Sequence, residues 1–190
     1  PSPGQFVDPR TNPSPGGPRV PVRLTTETAE LVELHELCRS GRLYDVERWI
    51  QAGRPLQLAA GAAARRRQST ALETALERQD QALILLLVAN GYDLTLEPQN
   101  PLDTVLSMRR RDLLDLLIAW GADPRAACVD TLLETYDSQL FERFRELGLD
   151  FTKDHAIAHA LGDHTSNKPL FGFVRRHRAD IPRMQQALDI

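Results

Sequence analysis

The residues with the most chemistry in reach are two histidines four apart, His155 and His159, with Asp163 and His164 close behind. On a helix that step puts both imidazoles on one face, and imidazoles beside a carboxylate are ligands a zinc ion accepts. Ala156, however, stands where the glutamate of H-E-x-x-H would act as general base, and no C-x-x-C accompanies the pair. Solvated histidines on a polar helix face are the better account, and no metal site is assigned. Phosphate-cradling loops of the G-x-x-x-x-G-K or G-x-G-x-x-G kind are missing from the sequence, as is a G-x-S-x-G elbow. The expectation is a non-enzymatic chain with no catalytic residue and no cofactor.

Arginine is the second feature. Clusters fall at Arg65-Arg66-Arg67, at Arg109-Arg110-Arg111 and at Arg175-Arg176-His177-Arg178. The last closes a helical stretch, where cations complement the dipole. The first two fall in a loop and a turn. Solvation alone explains many such runs, but arginine forks also grip carboxylates at two points, so they equally fit an acidic protein surface. Net charge is -3 and the clusters carry no interleaved aromatics, so nucleic acid is not the expected partner.

The elements that would position these arginines are helical. Pro101 to Pro124 reads as a short helix with Leu102, Val105 and Leu106 on one face, a basic turn, and a second helix striped with Leu113, Leu114, Leu116, Leu117 and Ile118. Asn100 is a natural cap, Pro101 a favoured first residue, and Gly121 with Pro124 ends the second helix. The same arrangement recurs. Leu31, Leu34, Leu37 and Cys38 precede Ser40-Gly41, then Val46, Trp49 and Ile50 lead to Gly53. Thr70-Ala-Leu-Glu73 and Thr131-Leu-Leu-Glu134 read as capping boxes opening further pairs that end at Gly91 and Gly148. A degraded fifth pair spans 154–161 and 168–177, with a last short helix from Asp180.

Leu34-His35, Gly41, Gly53 and Gly121-Ala-Asp123 match parts of the ankyrin repeat pattern, so residues 30 to 180 resemble the ankyrin-repeat family with four to five degenerate repeats. The fold implied is all-α, an ankyrin-like solenoid of stacked antiparallel helix pairs with short or missing β-hairpin fingers. His35 is then a structural, turn-bonding histidine. The closing glycines step by 38, 30 and 27 residues, so a prominent loop is expected at 56 to 69 and stunted fingers elsewhere.

Residues 1–22 hold seven prolines and three glycines and read as a proline-rich linker or flexible tail, leaving 23–190 as the repeat domain. Cys38 and Cys128 read as small buried hydrophobes in a reducing compartment. No run of 18 apolar residues and no signal peptide is visible, so a cytoplasmic monomer without membrane contact is expected. The missing initiator Met reads as processing or excision from something longer. Arginine's excess over Lys153 and Lys168, the only lysines, points to a GC-rich bacterial source.

The resemblance implies a protein partner bound along the groove of first helices and loops. Its rim would be Glu77 and Arg78, then Met108, Arg109 and Arg110, then Thr135 and Tyr136, with Arg65, Arg66 and Arg67 rising on the long loop. Two alternatives stand beside this: a targeting domain of a larger enzyme or secreted bacterial effector, and a small metal-dependent hydrolase using His155 and His159.

Overall fold

The structure is a computed structural model that describes residue 21 and residues 23–61, 69–151, 172 and 175. Among these lie eight helices: α1 (Val32–Arg39), α2 (Leu43–Gln51), α3 (Ala71–Glu77), α4 (Gln81–Ala89), α5 (Pro101–Ser107), α6 (Arg111–Ala119), α7 (Val129–Leu133) and α8 (Ser138–Glu146). Regular structure is thus mostly helical. Single 3-10 turns precede α1, α5 and α7 at Thr28–Leu31, Leu94–Leu96 and Pro124–Ala126. The chain divides into two compact units, Pro1–Pro98 with Ala119–Gly121, and Gln99–Ile118 with Ala122–Ile190.

Each helix pair is built on one internal step. A residue with left-handed backbone closes the first helix: Gly41 (φ 67°), Gln79 (53°), Arg109 (56°) and Tyr136 (56°). Two positions later a second helix of 9 residues begins. Its end is marked by Gly53, Gly91, Gly121 or Gly148, each 12 residues after its left-handed predecessor. At these ends an N–H reaches back five residues to an otherwise unsatisfied carbonyl. Asp80 donates to the Ala75 carbonyl at 3.0 Å, Arg110 to Val105 at 3.3 Å, Ala122 to Leu117 at 2.9 Å and Leu149 to Phe144 at 2.9 Å. This is the Schellman closure, which needs a positive φ at the preceding residue.

Side chains open the helices. Thr70 Oγ1 accepts from Glu73 N–H at 3.0 Å, Asp80 from Leu83 N–H at 3.1 Å, Asn100 from Leu102 N–H at 3.0 Å, and Asp137 from Gln139 N–H at 3.0 Å. The Thr70 box is modified: its hydroxyl donates onward to Glu97 Oε2 at 2.7 Å. The expected box at Thr131-Glu134 is corrected. Thr131 lies inside α7, which starts at Val129 because Val129, Leu132 and Leu133 are buried together. Cys128 takes the capping position, its N–H donating to Asp103 Oδ1 at 2.7 Å.

In the first unit α1 packs on α3 and α2 on α4. Leu34, Cys38, Val46, Ile50, Leu72, Ala75, Ile84 and Leu87 are fully buried. α4 is apolar nearly all round and buries six of its residues, as an interior helix must. In the second unit α5 packs on α7 and α7 on α8, over Leu102, Leu113, Leu117, Leu132, Phe141 and Phe144.

Three expectations change. The sequence gives no sign of strands, yet β1 (Leu24–Thr25) and β2 (Gln57–Leu58) form a parallel two-stranded sheet, Leu24 opposite Gln57 and Thr25 opposite Leu58. Strands this short carry no alternation to read. Cys128 is exposed, because it sits in extended backbone ahead of α7, whereas Cys38 is buried as expected. His35 is half-buried, its pKa lowered by burial and then by Arg39, and its imidazole makes no hydrogen bond with the described residues in place of the expected turn bond. Residues 1–20 and 22 of the tail, 62–68 of the long connection and all but two residues of the fifth pair lie outside the described residues.

Candidate functional site

The turn between α5 and α6 brings the central arginine cluster to the surface of the second unit. Leu106 and Val105 are buried on α5, so the chain must turn sharply to bury Leu113 and Leu114 on α6. The turn residues therefore project outward. Met108 is half-buried at the end of α5, and Arg109 follows, exposed and left-handed.

Beside this turn lies a cleft of about 150 Å³. Its floor is Val105, Leu106, Leu114 and Leu140, and its rim is Arg109, Arg110, Arg111, Thr135 and Asp137. The three consecutive arginines differ in what they already hold. Arg110 forks onto Asp112, with Nε to Oδ1 at 2.8 Å and Nη2 to Oδ2 at 2.6 Å. That fork draws the Asp112 carboxyl down to about 2 and raises Arg110. Arg111 pairs with Asp137 and reaches Gln139 Oε1 at 3.3 Å. Burial pulls the Asp137 carboxyl upward, but Arg111 and the N–H groups of Leu140 and Gln139 more than offset it, so it stays below the ordinary range. The Arg109 guanidinium has no ion pair or hydrogen bond among the described residues.

Asp137 does two jobs, capping α8 and holding Arg111 across to α6. A second ion pair joins the same helices, Arg143 to Asp115 at 2.5 Å. Two ion pairs thus join the helices that form the cleft wall. Sequence reading missed Asp137 and Leu140 as site residues. The available signal was Asp137 standing immediately before Ser138 and the apolar stripe, the same N-cap placement that Asp80 occupies before α4.

Other expected rim residues are placed differently. Arg78, in the first unit, donates from Nη1 to the Arg39 carbonyl at 2.9 Å and lies across Gly41, where an added Cβ would meet its Nη2 at 2.5 Å. It acts as a strap between the ends of α1 and α3. Tyr136 is exposed at the turn before α8 but does not line the cleft, whereas its neighbour Thr135 does. Arg65, Arg66 and Arg67 lie outside the described residues, as do His155, His159, Asp163 and His164. Arg175 is helical and exposed. Among the described residues no group of His, Cys, Asp or Glu could hold a metal ion, and no helix is long and apolar enough to cross a membrane.

The first unit has its own polar cluster. Glu97 accepts from Tyr92 Oη at 2.6 Å, Thr70 Oγ1 at 2.7 Å and Gln57 Nε2 at 3.3 Å. Gln57 also clasps Asp93, donating to its carbonyl at 2.8 Å and accepting from its N–H at 3.0 Å. Burial raises the Glu97 carboxyl above its ordinary range despite these donors, and burial together with the Glu97 charge raises the Tyr92 phenol. Both carboxylate oxygens are occupied, so the cluster joins β2 to the start of α3 rather than presenting an acid to a substrate.

The cleft beside Arg109 is consequently the arrangement best able to act outward. It offers a small apolar floor, a guanidinium with no ion pair among the described residues, and a wall joined by two ion pairs, which is binding equipment. Compared with protein-family models, with curated proteins and with solved structures, the chain matches none of them.

Proposed function

We propose that the chain is a non-enzymatic protein-binding module whose helix pairs stack as an ankyrin-like solenoid with stunted fingers. A protein partner lies along the first helices and the turns that follow them. The observation that carries this reading is the shared 12-residue step of the four helix pairs, each with a left-handed turn before its second helix, exposed at Gln79, Arg109 and Tyr136. A repeated unit that cannot bury its apolar face alone is what a stacked array is made from, and its repeated turns supply a row of side chains to a partner. Arg109, Arg110 and Met108 belong to that row, with Thr135 and Tyr136 from the next pair. Arginine, tyrosine and methionine are enriched where proteins meet.

The test is a pull-down with the whole chain and with an Arg109→Glu/Arg110→Glu variant whose thermal unfolding matches wild type. Loss of a specific partner from the folded variant supports the reading. Equal recovery of every partner by both proteins would move the binding surface elsewhere, and recovery of none by wild type would count against a binding module.

A further inference from the structure

Three arginines stand in a row at the turn before α6, yet two of them are already neutralised. Arg110 is forked onto Asp112 and Arg111 is paired with Asp137. Arg109 alone faces the cleft mouth with no partner among the described residues, over a floor of Val105, Leu106, Leu114 and Leu140. Its backbone is left-handed at φ 56°, a conformation glycine adopts at no steric cost, and glycine does occupy the matching position at Gly41. A long cation is thus held where the fold alone would be served as well by no side chain.

We propose that this cleft captures a short acidic segment of a partner protein, with one carboxylate on Arg109 and a neighbouring aliphatic or aromatic side chain on the Leu114–Leu140 floor. The proposal rests on the protein-binding reading above and adds the chemistry of the partner. Charge complementarity chooses the occupant. A cleft of about 150 Å³ has room for one medium-sized side chain, and among the described residues the charge on its rim without an ion pair is the positive one of Arg109. A nucleic-acid strand fits less well, because Asp112 and Asp137 flank the arginines and would repel successive phosphates. Only the first of the three arginines contributes charge to the partner; the second and third shape the wall.

The probes are fluorescein-labelled, Gly-Ser-flanked peptides in which a leucine, isoleucine or phenylalanine stands within two residues of a Glu-Asp pair. Controls are the same peptides with glutamine and asparagine, and a single-stranded DNA oligomer. Anisotropy with the full chain should show an acidic peptide bound more weakly as salt rises, and the amide peptide weaker by about tenfold or more. Arg109→Gly should lose about tenfold in affinity with no fall in melting temperature, whereas Arg48→Gln, at an exposed arginine on α2 that does not line the cleft, should stay within about twofold of wild type. Arg109→Glu should lose the acidic peptide and gain a lysine-bearing counterpart. Equal binding of acidic and amide peptides, undiminished binding by Arg109→Gly, or tighter binding of the DNA overturns the proposal. If no acidic peptide binds while the chain keeps a specific protein partner in the pull-down, this proposal fails and the binding-module reading stands. If both fail, the module reading falls with it.

Discussion

Gln79 carries a side chain in a backbone conformation that glycine adopts at no steric cost, exposed and left-handed at φ 53°. The two thiols should differ sharply. Burial pushes the Cys38 thiol up to about 12, with Asp80 adding to it, whereas Cys128 is exposed. One fast equivalent of a maleimide should label Cys128, and Cys38 should react only on unfolding. Glu97 gives a pH signature. A carboxyl whose folded pKa is raised contributes stability that is fully present below its unfolded value near 4.5 and is lost as pH rises through the folded value. Glu97→Gln should therefore gain on wild type in urea midpoint between pH 4 and pH 7, and a difference that does not change with pH would remove this role.

Among the elements, those with long apolar stripes were readable and those fixed by single bonds were not. The four second helices follow from periodicity and from Gly53, Gly91, Gly121 and Gly148, because a Schellman end needs a positive φ and glycine advertises it. The turns at Gln79 and Tyr136 use the same geometry without glycine, so nothing in the residue types marked them, whereas the arginine run marked the turn at Arg109. Asn100 capped α5 as read, but Thr131 did not open α7, since burial of Val129 moved the start three residues earlier, with Cys128 at the N-cap. The arginine cluster at the cleft was visible, while its division into two paired guanidiniums and one without a partner was not, because Asp137 joins it from 26 residues away. Caps give the test at this scale. Asn100→Ala should cost about 1 kcal/mol, since it orphans the Leu102 N–H and also removes the 3.0 Å bond from Nδ2 to the Asp123 carbonyl. Thr131→Ala should cost less than half of that, and equal costs would restore the capping box to Thr131.

At the scale of the whole molecule, each of the two units buries apolar residues from every helix described in it. Leu117 is fully buried on α6, so Leu117→Ala should lower unfolding free energy by about 2–5 kcal/mol, and a change under about 0.5 kcal/mol would deny it a core role. The constant 12-residue step sets a rule for how such a chain tolerates changes in length. Within a pair, one added residue rotates every later side chain about the helix axis by roughly 100° and turns the buried stripe toward water. Between pairs, the connections at 54–70, 92–100 and 122–128 already differ in length while the step from each turn to its closing glycine does not. Two extra residues after Gln99 should cost under about 1 kcal/mol, whereas two placed after Asp115 should abolish cooperative unfolding. Insertions and deletions among descendants of this sequence are then expected to gather in the connections, which makes those segments the natural sites for grafting a tag or a second binding loop.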